Sequence, residues 1–252
     1  MARSFGSEGL TDIIVYPASA AGGWTKRSYS LWFYPRYLGA GARYIYVRAV
    51  VDHFYINNGI LKYYSYWSSN NGLWKFSDSL VLNQWQHLAI VYDGTLTTNN
   101  PTAYLDGVPQ VTTRETTVPA GTLADSEQQD VLGNAASAGG GVNAILAEYA
   151  TWNGLLTTGE IDQLVAGVSP NCIPTRAGLV RRDYVPLFGG ATNARNVWRG
   201  TNGTITGAVA ASHPTGLTYP SPDEGLVPEL VAMQSPLLPI LQAHGLYVGS
   251  AA

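Results

Sequence analysis

Cysteine is almost missing from the sequence, since Cys172 is the only one among 252 residues. An intramolecular disulfide is therefore impossible, which argues against a secreted lectin of the disulfide-stapled type. A lone cysteine is most often a small buried apolar residue, and we expect Cys172 to be one. The first residues, MARSFGSEGLTD, also lack the apolar core and the cleavage site of a secretion signal, so we expect synthesis and folding in a cytoplasm.

Charged residues and long apolar runs are scarce as well. Only 12% of the residues are charged and the formal net charge is −3. The sequence therefore lacks the excess of basic residues typical of nucleic-acid-binding proteins, and we expect no nucleic-acid partner. No apolar run is long enough to cross a bilayer, and we expect no membrane insertion. The four histidines lack metal-ligand spacing, and no common hydrolase or phosphate-binding motif is present.

Short apolar stretches separated by turn residues are what the sequence does contain. The clearest of them lie between residues 85 and 167, beginning with WQHLAIVYDG and TAYLDGVPQ. Asp93-Gly94 closes the first apolar run, and Asp106-Gly107 lies where a tight type I′ hairpin turn is expected. VLGN and a glycine-rich loop follow. With 28 glycines and 14 prolines in the chain, this pattern predicts many short strands rather than long helices.

One short helix is predicted among these strands. Thr157 and Glu160 form a capping box that opens it, and Gly167 suits the position just after its end.

Earlier in the chain, alternation places Tyr44 and Tyr46 on the same face of their strand. The predicted strands outside the two hairpin runs are residues 13–16, which Pro17 ends, 29–34, 43–56 as one or two strands, 60–67 after a turn at residues 57–59, 73–76 and 145–152.

The order of these motifs resembles the laminin-G-like, pentraxin-like branch of the concanavalin A-like jelly rolls. The likeness rests on YSLWFYP at residues 29–35, on the two hairpin runs, on VLGN and on AEYATWNGLLTTGEI, and it covers roughly residues 5–168. It implies an all-β, concanavalin A-like (laminin-G-like) jelly-roll sandwich of two antiparallel sheets with one short helix. This fold carries lectins, glycosidases, adhesion modules and virion proteins, so the resemblance leaves the function open.

The segment after the helix has two interpretations. Residues 179–187 and 204–209 resemble strands that usually open laminin-G-like domains. They either complete the same sandwich, as in a circular permutation, or begin a truncated second copy. We favour completion, because too few residues remain for a second sandwich. The predicted division is therefore a jelly-roll domain at residues 1–213, in which residues 170–213 supply the completing strands, and a C-terminal arm at residues 214–252.

The C-terminal arm is both proline-rich and apolar. Its prolines rule out one continuous helix, and its apolar content is too high for a disordered polar tail. It either wraps on its own domain or docks on a neighbouring subunit, as extended proline-containing segments can do. The residues predicted to make assembly contacts are Leu226, Leu230, Leu237, Leu238, Ile240 and Leu241.

The resemblance also raises catalysis and calcium binding. Related glycosidases carry E-x-D-x-x-E on a strand, whereas the nearest match here, Glu160-Ile161-Asp162, has Val165 at the third acidic position and lies in the predicted helix. We therefore expect no enzyme. Pentraxin-like relatives bind calcium through an acidic loop after V-L-G, but residues 134–142 contain no carboxylate. We expect no cofactor, with Asp93 as a weak metal candidate beside its simpler role as a turn cap.

Aromatic residues around an asparagine-rich turn offer a possible glycan platform. Their rings could stack on sugars while the amides donate and accept hydrogen bonds. The alternative is ordinary packing, because aromatic residues also form cross-strand pairs and sandwich cores. The candidate glycan-binding residues are Tyr64, Tyr66, Trp67, Asn70, Asn71 and Trp74.

Two functions remain after this comparison of motifs. The first is a non-enzymatic structural or interaction protein of a virion, such as a capsid decoration, head-fibre or tail component of a bacteriophage. Its partners would be other virion subunits or copies of itself, and its location would be the virion. The alternative is a carbohydrate-binding lectin or adhesin module with host glycans as ligands. The two roles are compatible, because virion appendages can use such domains to hold glycans.

Overall fold

The computed structural model of the chain describes residues 2–6, 11–19, 23–135, 140–187 and 193–217. Within these residues the chain is mostly β-structure with one α-helix, α1 (Thr158–Val165), and one short 3-10 helix (Pro170–Cys172). The strands are β1 (Ala2–Phe5), β2 (Ile13–Ser19), β3 (Lys26–Pro35), β4 (Ala42–Arg48), β5 (Asp52–Asn57), β6 (Ile60–Ser65), β7 (Gly72–Ser79), β8 (Gln86–Asp93), β9 (Thr102–Leu105), β10 (Val108–Pro109), β11 (Thr112–Arg114), β12 (Gln128–Leu132), β13 (Ala144–Gly154), β14 (Leu179–Val185), β15 (Asn193–Asn196), β16 (Thr201–Thr206) and β17 (Val209–Ala211).

The strands form two antiparallel sheets with the main hydrophobic core between them. The first sheet has the order β10-β9-β8-β3-β13-β1-β17, and β14 also pairs with β13. The second sheet has the order β11-β7-β6-β5-β4-β12-β2-β16-β15. The main core combines buried side chains of both sheets, among them Leu31 and Leu146 of the first and Ile14 and Ile56 of the second. The predicted two-sheet jelly-roll sandwich is therefore confirmed.

The strand predicted to be central is central. β3 lies between β8 and β13, and Tyr29, Leu31 and Phe33 alternate into the main core. Its opposite face is buried too, at Ser28 and Ser30. A strand covered on both faces favours small or apolar side chains, which is why residues 28–35 carry no charge.

Two tight turns have the conformation that their sequences predict. Asn58 and Gly59 both have positive φ, at 52° and 77°, and they connect β5 to β6. Asp106 and Gly107 also have positive φ, at 50° and 81°, and they connect β9 to β10. Two successive residues with positive φ are required by a type I′ turn, and Asn-Gly and Asp-Gly tolerate this better than other pairs.

β2 is longer than predicted. Pro17 does not end it, because the strand continues to Ser19. The register with β12 shifts between Gln128 and Asp130, opposite this part of β2. A proline lacks the backbone N–H that a regular ladder needs, and a bulge is one of the few places where a strand can hold one. The prediction that Pro17 stops the strand was therefore wrong.

β4 also departs from the predicted alternation. The register with β5 shifts between Tyr44 and Tyr46, so that Ile45 is the extra residue of a β-bulge. Tyr46 and Ile45 are both fully buried in the main core, while Tyr44 is half-buried. The prediction that Tyr44 and Tyr46 share a face was wrong, because an extra residue reverses the facing of the side chains that follow it.

The strands that follow the helix are hydrogen-bonded into the same two sheets. β14 pairs with β13, β16 pairs with β2, and β17 pairs with β1. β1 thus lies between β13 and β17 in the first sheet. This arrangement brings β14, β16 and β17 next to strands from earlier in the chain, and it builds both sheets from segments that are distant in sequence.

The helix begins at the predicted capping box. Thr157 Oγ1 accepts a hydrogen bond from Glu160 N, and Glu160 Oε2 accepts one from Thr157 N at 2.7 Å. Gly167 follows the end of the helix with φ of 90°, as predicted. Ile161 and Leu164 pack with Trp152 in a second, smaller core on the outer side of the first sheet. This packing covers the outward face of β13.

Three sequence expectations concern the remainder of the chain. Cys172 is half-buried rather than fully buried, because it lies in a short surface 3-10 helix. None of the helices in the described ranges has the length and apolar character needed to cross a membrane. The six predicted assembly residues between Leu226 and Leu241 lie outside the described residues.

Candidate functional site

The stretch predicted to bind glycans spans β6, β7 and the loop between them. Pairing of these two strands places Tyr63 opposite Trp74 and Tyr64 opposite Leu73. Neighbouring residues of a strand point to opposite faces of the sheet. Tyr63 and Trp74 therefore face the core, whereas Tyr64 lies on the outer face of the second sheet.

Both predicted tryptophans are buried between the sheets. Trp74 is 0% exposed, and its indole Nε1 donates to Asn100 Oδ1 at 2.9 Å. Trp67 is 7% exposed and belongs to the same core cluster. Neither residue presents an aromatic face at the surface, so the structure assigns packing to Trp67 and Trp74.

Tyr64 and Tyr66 instead belong to a cluster of five aromatic side chains on the outer face of the second sheet, which we call the outer aromatic patch. His53 lies at its centre. The His53 ring is parallel to that of Tyr64, with 4.8 Å between centroids and an interplanar angle of 5°. Tyr66 contacts Tyr64 edge-on at 4.9 Å. The members of the patch are Tyr44, His53, Tyr55, Tyr64 and Tyr66.

The positions of these rings follow from local strand structure. In β5 the side chains alternate between faces, with Phe54 and Ile56 in the core and His53 and Tyr55 on the outer face, where Tyr55 is only 9% exposed. In β4 the bulge at Ile45 separates Tyr44 from the inward-facing residues that follow. Tyr44 then lies opposite Tyr55, with 5.3 Å between their ring centroids. Four of the five rings are therefore fixed by three hydrogen-bonded strands, β4, β5 and β6, and Tyr66 lies directly after β6.

The patch is aromatic at its centre and polar around it. Burial lowers the pKa of His53 to about 4, although the Asp52 carboxylate acts in the opposite direction. The imidazole is therefore neutral at pH 7 and offers one donor and one acceptor nitrogen. Tyr64 Oη accepts a hydrogen bond from Asn71 Nδ2 at 2.8 Å. Lys62, which pairs with Tyr55, forms an ion pair with Glu115 at 2.6 Å.

The two predicted asparagines mainly hold the loop between β6 and β7. Asn71 Oδ1 accepts from Trp67 N at 2.8 Å while its Nδ2 donates to Tyr64. Asn70 Nδ2 donates to Thr117 Oγ1 and to Val118 O. Asn71 thus connects the loop to the outer aromatic patch, whereas Asn70 ties the loop to a neighbouring segment.

Sequence reasoning missed three members of the patch, namely Tyr44, His53 and Tyr55. The signal for His53 and Tyr55 was present in DHFYIN, where alternation separates them from Phe54 and Ile56. The signal for Tyr44 was absent, because no residue type in this stretch marks the bulge that turns its ring outward.

The residues considered for metal binding and catalysis have structural partners. Asp93 Oδ1 accepts hydrogen bonds from Thr95 N and Thr95 Oγ1, and its Oδ2 lies 3.5 Å from Lys26 Nζ. Burial acts to raise the pKa of Asp93, but these hydrogen bonds and the Lys26 ammonium outweigh it, so the pKa is lowered. Within the described ranges, no group of three or more His, Cys, Asp or Glu residues could hold a metal ion.

Glu160 and His87 are likewise engaged. Glu160, from the nearest match to a glycosidase motif, caps α1 and forms an ion pair with Arg176 at 3.0 Å. His87 is 1% exposed, and its Nε2 lies 2.9 Å from Ser30 Oγ. Burial lowers the pKa of His87 to about 3, so its imidazole is neutral over the ordinary pH range.

Comparisons with known proteins support the same architecture. A family model described as "Concanavalin A-like lectin/glucanases superfamily" matches residues 15–162. No curated protein sequence matches the chain significantly.

Two solved structures similar to this chain come from a bacterium and from a horseshoe crab. The first is a proposed carbohydrate-binding protein from Bacteroides ovatus, with 15% identity and a TM-score of 0.58 over 83% of this chain and 62% of that one. The second is the native heptameric SAP-like pentraxin from Limulus polyphemus, with 18% identity and a TM-score of 0.52 over 82% of this chain and 95% of that one. The present chain thus spans less than two thirds of the Bacteroides protein. At these identities the likeness shows the fold alone.

Proposed function

The chain belongs to the concanavalin A-like lectin/glucanases superfamily, and from this premise we propose that it is a non-enzymatic carbohydrate-binding protein. The outer aromatic patch is the proposed glycan platform. The observation that carries the proposal is the parallel pair of His53 and Tyr64, flanked by Tyr66, on the outer face of a sheet. The naming of the Bacteroides neighbour as a proposed carbohydrate-binding protein supports the same class of function.

The chemistry of the patch suits a neutral sugar. Aromatic faces pack against the apolar C–H faces of sugar rings, while polar groups at the edge bond to the hydroxyls. Here the polar groups are the tyrosine hydroxyls and the neutral His53 imidazole, and the Asn71 amide holds the hydroxyl of Tyr64. Since rigid strands hold the rings, little side-chain entropy is lost on binding.

The proposal is for binding without catalysis. Hydrolysis of a glycosidic bond needs two carboxyl groups placed on either side of it. Of the two carboxylates that act on residues of the patch, Glu115 is engaged by Lys62 and Lys75, and Asp52 is buried and paired with Arg27. A glycan held on the patch would therefore be retained and not cleaved.

Replacement of Tyr64 by alanine is expected to weaken glycan binding by about tenfold or more, because one half of the central stack is lost. Binding is measured first on a printed glycan array and then by titration calorimetry with the glycans retained. Tyr64→Phe keeps the ring and removes only the hydroxyl, so it is expected to retain most of the affinity.

Tyr34→Ala is the matched control. Tyr34 is a half-buried tyrosine of β3 in the other sheet, where its ring contacts Trp85 at 5.5 Å. Its removal is expected to leave glycan binding unchanged. Equal affinities for the wild type and Tyr64→Ala would overturn the assignment of the patch, and a folded wild type that retains no glycan would overturn the proposed function.

A second proposal, compatible with the first, is that the protein is a structural subunit of a virion, such as a bacteriophage decoration or tail component, located in the particle. The sequence of the arm at residues 214–252 supports it, since its leucines and isoleucine offer apolar contacts to another subunit. In this proposal the sandwich is a rigid body and the arm makes the assembly contacts.

Removal of the arm is expected to convert a defined oligomer into a folded monomer. The native mass of the full chain is compared with that of a version ending at Pro222, and circular dichroism verifies the β-structure of both. If the two versions are folded monomers, the arm does not assemble copies of this chain, and the self-assembly part of this proposal is wrong.

A further inference from the structure

A pocket of about 400 Å³ lies beside β14 of the first sheet, and none of its lining residues belongs to the outer aromatic patch. β14 forms one wall, and the turn between β15 and β16 forms another. We call it the arginine-tryptophan pocket, because three arginines and two tryptophans line it together with an asparagine and a valine: Arg181, Arg182, Arg199, Trp24, Trp198, Asn153 and Val180. No carboxylate is among the lining residues.

A β-bulge explains why two consecutive arginines line one pocket. In the pairing of β13 with β14, Trp152 lies opposite Arg181 and Thr151 lies opposite Asp183, so Arg182 is the extra residue. In a regular strand Arg181 and Arg182 would point to opposite faces, but a bulge redirects a side chain. The Arg182 guanidinium lies 3.7 Å from the centroid of the Trp24 ring, and that of Arg181 lies 4.8 Å from the centroid of the Trp198 ring.

The charges around the pocket do not balance within the described part of the chain. Arg199 contacts both Asp130 and Asp183, at 2.6 Å and 2.5 Å, and Arg182 Nε lies 3.6 Å from Asp183. Asp130 and Asp183 therefore face the guanidinium groups of Arg182 and Arg199, and the neighbouring Arg48 lies 3.9 Å from Asp125. The third guanidinium of the pocket, that of Arg181, forms no ion pair with a described residue.

Arg181 has only neutral hydrogen-bond acceptors in the described part of the chain. Its Nη atoms donate to Asn171 Oδ1, Asn171 O and Ile173 O, and its Nε has no partner there. The residue is 4% exposed, and burial lowers the pKa of its guanidinium. A buried cation without a counter-charge is costly, so an anion entering the pocket would be stabilised.

We infer that the arginine-tryptophan pocket binds the carboxylate of a sugar acid, with the sugar ring packed against the indole of Trp198. The guanidinium groups supply the planar donors that match a carboxylate. The Trp198 ring has the Arg181 guanidinium over one face and is 47% exposed, so a sugar ring could pack against its exposed part, which a bare inorganic anion would not use. The volume suits a small ligand. This site is separate from the glycan platform and does not rest on the proposed function.

The test is titration calorimetry of the full chain with D-glucuronate at low salt and pH 7, with D-glucose as the ligand that lacks only the carboxylate. Glucuronate is expected to bind about tenfold or more tighter than glucose, because the charge-assisted hydrogen bonds are lost with glucose. Sodium sulfate, an anion without a ring, is expected to bind more weakly than glucuronate. High salt is expected to weaken glucuronate binding.

Three variants assign the binding to this pocket. Trp198→Ala removes an exposed ring and is expected to weaken glucuronate binding about fivefold or more. Arg181→Met keeps an apolar stem and is expected to abolish the preference for glucuronate over glucose, with circular dichroism verifying that the variant is folded. Tyr64→Ala, in the outer aromatic patch, is expected to leave glucuronate binding unchanged.

Three results would overturn the inference. Glucuronate and glucose could bind equally, which would remove the role of the carboxylate. Sulfate could bind as tightly as glucuronate, which would remove the role of the ring. Trp198→Ala could bind glucuronate with wild-type affinity, which would place the ligand elsewhere even if Arg181→Met does not fold.

Discussion

Replacement of Asp52 by asparagine is expected to lower the free energy of unfolding by about 3–5 kcal/mol, the usual effect of removing one partner of a buried ion pair. Asp52 and Arg27 are both 0% exposed between the sheets, and Arg27 Nη1 lies 2.7 Å from Asp52 Oδ2. Tyr29 Oη also donates to Asp52, and Tyr63 Oη donates to it at 3.3 Å. Asparagine preserves the shape of the side chain but leaves the Arg27 cation without its counter-charge.

The pKa of Arg27 indicates the strength of this pairing. Burial by itself would lower the pKa, but the Asp52 carboxylate more than offsets burial, and the pKa of Arg27 is raised. The guanidinium therefore stays charged in the folded protein. Without Asp52, the folded state would have to hold an uncompensated cation or a deprotonated arginine, and either is unfavourable.

The loss of stability in Asp52→Asn is measured by urea unfolding, with circular dichroism as the signal. An exposed ion pair supplies the control. Lys26 lies 3.5 Å from Asp93, with side chains 46% and 29% exposed. Lys26→Gln is expected to cost less than about 1 kcal/mol, because water screens such pairs. In a third variant, Arg27→Met with Asp52→Leu, only part of the loss is expected to be recovered, because the hydroxyls of Tyr29 and Tyr63 would still lose their acceptor. If Asp52→Asn destabilises no more than Lys26→Gln, the buried pair does not stabilise the sandwich.

Local patterns in the sequence were sufficient to predict most of the strands. Alternating apolar residues, two turns with positive φ and a capping box each depend on neighbours within a few positions. β3, the turns at Asn58 and Asp106, and the start of α1 were therefore predictable. Pairing between distant segments was not. The contact of Arg27 with Asp52 joins β3 of one sheet to β5 of the other, and no local pattern indicates it.

The bulges account for much of what sequence reasoning missed in the candidate sites. The extra residue Ile45 turns Tyr44 toward the outer aromatic patch, and the extra residue Arg182 brings two arginines into one pocket. A bulge reverses the facing of all residues after it, yet many residue types can occupy it. The sequence indicated the aromatic character of the first site and gave no indication of the second, and which side chains share a face was not predictable for either.

Trp74 of β7 was predicted to bind glycans, but it lies in the core and is expected to contribute strongly to stability. Trp74→Ala is expected to lower the free energy of unfolding by about 3–5 kcal/mol, as is usual when a buried tryptophan is truncated. The Trp74 ring is 0% exposed and lies 5.3 Å from the ring of Tyr92 and 6.0 Å from that of Tyr63. Truncation would also leave Asn100 without the indole donor.

Tyr64→Ala is the matched comparison, because Tyr64 and Trp74 lie on paired strands but on opposite faces of one sheet. A half-buried tyrosine at the surface contributes less to the core, so its removal is expected to cost about 1 kcal/mol. Thermal and urea unfolding of both variants give the two stabilities, and titration with the retained glycan gives their affinities below the unfolding transition. If Trp74 has a packing role, Trp74→Ala loses stability and keeps its affinity for glycan. If Tyr64 has a binding role, Tyr64→Ala loses affinity and keeps most of its stability. If Trp74→Ala is as stable as the wild type but no longer binds glycan, its ring belongs to the binding site, and the assignment of Trp74 to the core is wrong.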